Sequence, residues 1–250
     1  MGLGIGNGNA NLWTNKVDGS SPPSFSNLYS MYFNGIDQFL NGSATPLLGN
    51  LGTGDWSISF WFKADNISTG GNQRILSLGT GGTLHTQIYI TTTGTLQVSG
   101  PWSDGYNFSA LSNTWYHVIY RVNTASASQN VGYVINGTDI NNKNESITTT
   151  FDTTGNAYIG RNSGSFGFEG NIDEFSIWNK YLTNADCIEI YNGGTPNDLS
   201  TVSAASNLQN WWRMGDPSGT ASYPTISAAA GPIVMTMSNM TSANIETDIP

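Results

Sequence analysis

The 250-residue chain carries eight Lys plus Arg against seventeen Asp plus Glu, a net charge of −9, with only 10% charged residues, where an ordinary soluble protein has roughly 25%. It has no basic run, which excludes phosphate-driven nucleic-acid binding and attraction to anionic membranes, since both need clustered cations. Cys187 is the sole cysteine, so an intrachain disulfide and a cysteine-based zinc site are excluded too.

Residues 1–28 are Gly/Asn-rich and then Ser/Pro-rich through Ser20-Ser21-Pro22-Pro23-Ser24, with little periodicity. They read as an extended arm ahead of a single body, residues 29–250. The start has neither the positive nor the apolar region of a secretory leader, and no later stretch approaches the roughly 20 apolar residues of a membrane span. The expectation is therefore a soluble protein made in the cytosol. The arm's apolar residues, Leu3, Ile5, Leu12, Trp13 and Val17, are expected to bury against a partner chain.

From Tyr29 the pattern turns to strands. Tyr29–Phe33 ends in the turn Asn34-Gly35. In the next strand Trp56, Ile58, Phe60 and Phe62 fall on one face and Ser57, Ser59, Trp61 and Lys63 on the other, so one face belongs to a core. Further strands are predicted at 74–78, 86–91, 95–99, 115–122, 131–135, 157–159, 172–178, 208–214 and 234–237, separated by Gly or Asn turns such as Asn136-Gly137. One helix is predicted after Leu182. Thr183 caps it, Asp186 three residues later completes a capping box, Cys187, Ile188 and Tyr191 form its apolar side, and Asn192-Gly193-Gly194 stops it. The fold class is thus all-β: a two-sheet antiparallel sandwich with one short helix near 184–191 and an N-terminal arm.

Several phrases in this order, Tyr29-Ser30-Met31-Tyr32-Phe33-Asn34-Gly35, Trp56–Lys63, Thr114–Val118, Tyr133–Gly137, Ile159-Gly160 and Gly170–Asn179 with Leu182-Thr183, resemble the laminin-G-like, concanavalin A-like jelly roll. The resemblance covers residues 29–250. The closing phrases, Trp211–Asp216, Tyr223–Ile226 and Thr236–Thr241, resemble single-domain versions in structural proteins of tailed phages. That implies a non-enzymatic virion component, partnered by other virion proteins and by copies of itself, with localisation in the virion. The alternative is a carbohydrate-binding adhesin or lectin module that attaches to cell-surface glycans.

Candidate sites follow. The loop containing Trp102, Asp104 and Tyr106 combines stacking surfaces with hydrogen-bonding groups, as a sugar ring requires, and Trp61, turned from the core, extends such a platform. The same aromatics also fit a subunit contact or loop packing. The resemblance implies a structural calcium held by Asp37 and Asp173 with Asn34 nearby, the other reading being that these carboxylates accept backbone hydrogen bonds. Glu169, Asn171 and Asp173 alternate on one strand face like the acidic motif of jelly-roll glucanases, but Asn171 breaks the motif and catalysis is not expected. His85 and His117 are the only histidines, and His117 reads as a structural strand residue.

Overall fold

The computed structural model describes residues 25–43, 54–68, 71–78, 86–99, 103–106, 108–126, 128, 130–144, 156–161, 164, 167–216 and 221–250. In chain order the strands are β1 (Ser30–Asn34), β2 (Phe39–Ser43), β3 (Trp56–Ala64), β4 (Gln73–Leu78), β5 (Thr86–Ile90), β6 (Leu96–Ser99), β7 (Ser103–Tyr106), β8 (Trp115–Val122) and β9 (Val131–Ile135). They continue as β10 (Thr138–Lys143), β11 (Asn156–Ile159), β12 (Glu169–Trp178), β13 (Leu208–Trp212), β14 (Ala221–Ser222), β15 (Thr225–Ser227), β16 (Val234–Ser238) and β17 (Ile245–Glu246). Helix α1 (Asn184–Tyr191) lies between β12 and β13. The strands form two antiparallel sheets. Sheet A runs β10-β9-β8-β3-β12-β1-β17, with β13 on the second half of β12, and sheet B runs β14-β15-β16-β2-β11-β4-β5-β6-β7.

Strand alternation fills the space between the sheets. Ile58, Phe60 and Phe62 of β3, Val118 and Tyr120 of β8, and Ile172, Phe175 and Ile177 of β12 meet Leu40, Leu76, Ile88, Leu96, Val98 and Ile159 of sheet B in one core. Sheet A is unusual in that its other face is buried too. Ile119, Val134, Trp178 and Trp211 point away from the first core and pack under Leu182, Cys187 and Ile190 of the helical segment, and under Leu199, Val202 and Ala204 of the segment after it. The predicted capping box is formed: Asp186 N donates to Thr183 Oγ1 at 3.2 Å and Thr183 N donates to Asp186 Oδ2 at 2.7 Å. Asn192 ends the helix in the left-handed region at φ 50°. Of the expected apolar side of the helix, Cys187 is buried and burial pushes its thiol up to about 12, whereas Ile188 is 59% exposed and Ile190 takes the inward position.

Residues 25–28, assigned to the arm by sequence, dock on this same outer face over a buried ionic cluster. A bulge in β12 at Glu174, a non-glycine at φ 49°, inserts one extra residue. Ile172 and Phe175 therefore both face the core, while Asp173 and Glu174 both face outward. Glu174 Oε1 accepts from Arg213 Nε at 3.1 Å and its Oε2 accepts from the Trp211 indole. Arg213 also reaches Asp216 at 3.3 Å and donates to Ser26 O at 2.5 Å. Leu28 N donates to Asp216 Oδ1 at 3.0 Å, Asn27 Nδ2 donates to Asp173 Oδ2 at 2.8 Å, and the Phe25 ring covers the Arg213 guanidinium at 4.2 Å. Two buried carboxylates, Glu174 and Asp216, thus share one guanidinium with a third, Asp173, next to Glu174, and burial favours the neutral forms of all three. Burial raises Glu174 from 4.5 to about 7 against the pull of Arg213, raises Asp173 well above its ordinary value with help from the Glu174 charge, and raises Asp216.

The second core gives a mechanical prediction. Trp178 is fully buried and its indole N–H donates to Ser176 Oγ at 3.0 Å. Trp178→Ala should cost roughly 3–5 kcal/mol in urea unfolding. The cluster gives a pH prediction. Carboxylates whose folded pKa is raised contribute stability that is fully present below the unfolded pKa and is lost as pH rises, here across the window from 4.5 to about 7 for Glu174. Two others act oppositely. Burial opposes ionisation of Asp186 and Asp248, yet bonds from Lys180 and Thr183, and from Lys63 and Trp115, hold them low. Their contribution is lost as pH falls below about 4. Thermal unfolding should therefore show maximum stability near pH 5, roughly. Glu174→Gln should lower the maximum, because an amide replaces the acceptor of the Trp211 N–H, and should flatten the decline toward pH 7.5, roughly.

Candidate functional site

With the outer face of sheet A covered, the outer face of sheet B is the broad surface that no described residue covers, although Ser77 and Gln87 within it are buried. Its strands place Leu40, Leu76, Ile88, Ile90, Leu96, Val98 and Ile159 inward, so the alternate residues Phe39, Asn41, Gln87, Tyr89, Gln97 and Tyr158 stand outward. In β4 a bulge between Arg74 and Leu76 sends both Ile75 and Leu76 to the core and leaves Arg74 outward. The registers align these residues into rows across the sheet: Asn41, Tyr158, Ser77, Gln87 and Ser99 in one, and Arg74, Tyr89 and Gln97 in the next.

The outward side chains brace each other. Phe39 and Tyr158 meet edge to face with centroids 5.7 Å apart, and Asn156 Nδ2 donates to the Tyr158 hydroxyl at 3.1 Å. The Arg74 guanidinium lies 4.0 Å from the Tyr89 ring and its Nε donates to Gln87 Oε1 at 2.7 Å. Arg161, just beyond β11, lies 4.7 Å from the Phe39 ring. From β2 to β5 the face spans about 14 Å at ordinary strand spacing, the reach of a short oligosaccharide. Half-exposed rings beside amides, hydroxyls and guanidinium groups supply stacking surfaces and fixed hydrogen-bonding groups together.

The residues predicted from sequence are distributed differently. Leu3, Ile5, Leu12, Trp13, Val17, His85 and Trp102 lie outside the described residues. Asp104 and Tyr106 belong to β7, the edge strand of sheet B, opposite Val98 and Leu96, so the expected loop is here a strand. Trp61 does turn from the inter-sheet core, but it is 4% exposed, stacked under Tyr191 of α1 at 5.7 Å and against His117 at 4.8 Å. It offers no platform. The helical layer, invisible from β3 alone, covers it.

The expected calcium ligands do not converge. Asn34 stands opposite Glu169 at one end of the β1–β12 ladder, while Asp173 lies beyond the Met31–Ile172 pair at the other, about 13 Å along the strand. Asn34 Oδ1 accepts from the backbone N–H groups of Ile36, Asp37 and Gln38, and its amide donates to Asp37 at 2.9 Å. Asp173 is committed to Asn27 and the Glu174 N–H. Among the described residues no group of three His, Cys, Asp or Glu is placed to hold a metal ion, and Asn34, Asp37 and Asp173 do not fit one. The acidic strand motif is likewise occupied. Asn171 is buried and donates to Ser30 Oγ and Glu246, and Asp173 is sealed beneath Asn27. His117 meets Ser59 Oγ at 2.9 Å, a serine–histidine pair, but it is buried between Trp61 and Tyr191, and burial lowers it to about 3. It is a structural strand histidine, as predicted.

Sequence reasoning passed over the outward row of sheet B. Its signal was present in the alternation Gln87-Ile88-Tyr89-Ile90, where polar and aromatic residues occupy the positions between core residues.

Comparison with known proteins agrees with this architecture. The family model described as the concanavalin A-like lectin/glucanases superfamily matches residues 40–187, well over half of the chain. Among curated proteins none matches. A Bacteroides ovatus protein with a proposed carbohydrate-binding role superposes with a TM-score of 0.62 at 19% identity, covering 88% of this chain; this chain spans 59% of that one. The carbohydrate-binding module CBM40 of the Ruminococcus gnavus IT-sialidase, bound to α2,3-sialyllactose, gives 0.52 at 14% identity, covering 65% and 96% respectively. The heptameric SAP-like pentraxin of Limulus polyphemus gives 0.50 at 14% identity, covering 86% and 98%. At these identities the likeness is one of fold.

Proposed function

The chain belongs to the concanavalin A-like lectin/glucanases superfamily, and from that premise we propose that it is a non-catalytic carbohydrate-binding module that uses the outer face of sheet B. The observation that carries this reading is the asymmetry of the sandwich. One face is sealed by α1, by residues 25–28 and by Asp248, while the other carries half-exposed Phe39, Tyr89 and Tyr158 among amides, hydroxyls and guanidinium groups. Carbohydrate-binding roles borne by proteins of like fold support it. A non-catalytic role is supported by the burial of Asn171 and Asp173, which closes those two positions of the acidic strand to a substrate.

The virion role rests on the resemblance of the closing phrases and on arm residues outside the described structure. The open face favours the lectin reading over it. A glycan-binding module carried on a larger particle would unite the two.

Tyr158→Ala and Tyr89→Ala should each weaken polysaccharide binding by about ten-fold, the loss of one stacking contact worth roughly 1.4 kcal/mol, with thermal unfolding near that of the unaltered chain. Affinity electrophoresis across a polysaccharide panel checks this. Trp102→Ala in the same assay reports whether the chain segment between β6 and β7 takes part. Undiminished binding by both tyrosine variants would remove this face as the site.

A further inference from the structure

We infer that residues 25–28 form a proton-dependent strap: they close over β12 and the end of β13 while the Asp173–Glu174 pair holds a proton, and lift from the folded sandwich when that proton leaves. The strap, Phe25-Ser26-Asn27-Leu28, carries no charge of its own and is held through polar partners. Ser26 O accepts from Arg213, Asn27 Nδ2 donates to Asp173 Oδ2, and Leu28 N donates to Asp216. Its apolar hold is slight. Leu28 is 47% exposed, which leaves Phe25, over Arg213 and stacked on Trp211 at 6.3 Å, as the anchoring ring. The attachment therefore depends on the charge state of the groups beneath it.

Those groups come from adjoining elements. Asp173 and Glu174 belong to β12, and Arg213 and Asp216 to the turn after β13. On the neighbouring strand β3, Trp61 stands opposite Asp173 and is uncharged; His117 beyond it, on β8, is kept neutral by burial, which lowers it to about 3. Tyr29 and Ile245 pack beside Gly215. The described cluster thus sets three carboxylates against one guanidinium. Under the closed strap the excess negative charge has little water around it, and lifting the strap admits water. Asn27 carries an independent sign of a proton. Its amide nitrogen bonds Asp173, yet its Oδ1 is buried and accepts no bond from any described residue. A neutral Asp173 has an O–H to donate to such an acceptor, whereas an ionised one has none. Burial raises Asp173, Glu174 and Asp216, and it outweighs the bonds from Asn27 and Leu28 that favour the charged forms. Closure is therefore fully favoured below the ordinary carboxylate range and weakens as pH rises, for Glu174 from 4.5 to about 7.

Hydrogen–deuterium exchange of the full chain, read as protection over the intrinsic rate at each pH, tests the strap between about pH 5.5 and about pH 8. The Leu28 and Tyr29 amides, which bond Asp216, should lose about ten-fold in protection across this window, while β3 stays far better protected throughout. Over the same window the infrared carbonyl band of protonated carboxyl groups should fade. Glu174→Gln and Asp173→Asn each remove one titrating group, and in variants shown to be folded by circular dichroism at least one should flatten the loss of protection. If neither variant folds, the band and the exchange profile of the unaltered chain decide. Protection that does not change with pH overturns the inference, as does a band absent at the acid end. Equal protection of the strap and β3 also overturns it, because the segment then opens only when the whole domain unfolds. A full pH response retained in both folded variants places the proton elsewhere and overturns it as well.

Discussion

The constraint on which the rest of this structure depends is that sheet A is apolar on both faces. A sandwich needs one apolar face per sheet, and sheet B obeys. Sheet A instead carries Ile119, Val134, Trp178 and Trp211 on its far side, a surface that must be removed from water. The chain meets this with α1, the segment that follows it and residues 25–28. Each covering piece is short and adds little core alone. Together they make a three-layered half, and among the described residues sheet B has no such covering layer.

The buried cluster at the β12 bulge shows how this covering is made specific. An apolar lid could slide, whereas residues 25–28 are registered by bonds to Asp173, Asp216 and Arg213. Breaking one partner of such a set leaves an uncompensated buried charge, a loss of roughly 3–5 kcal/mol in comparable cases. Burial raises all three carboxylates, against the pull of Arg213 on Glu174 and Asp216. The positive-φ residue Glu174 sits at the centre of this arrangement, where backbone strain is offset by two side-chain bonds.

Features set by neighbours in sequence were legible in it. The alternation of β3, the Thr183–Asp186 box and the Asn192-Gly193-Gly194 stop are local patterns, and all formed. Features set by distant neighbours were not. Trp61 alternates like a solvent-facing residue because nothing near it in sequence announces that Tyr191 will cover it. Ser103–Tyr106 has the composition of a turn, yet it is drawn into an edge strand by pairing with β6. Asp173 reads as a turn or metal carboxylate until the bulge and the docking of Asn27 are seen. The candidate site itself draws Phe39, Arg74, Tyr89, Tyr158 and Arg161 from separate strands, so only the sheet order assembles it.

The way residues 25–28 and Asp248 lie on sheet A also fixes an orientation. Phe25 stacks on Trp211, and Asp248 holds Lys63 and Trp115, all on the face opposite the open one. A tether that left the body on this side would leave the open sheet pointing away from its support. Copies arrayed on a common support would present their faces in parallel. A polymer lying across several of them would be held by the sum of weak contacts, with a residence time no single face could give.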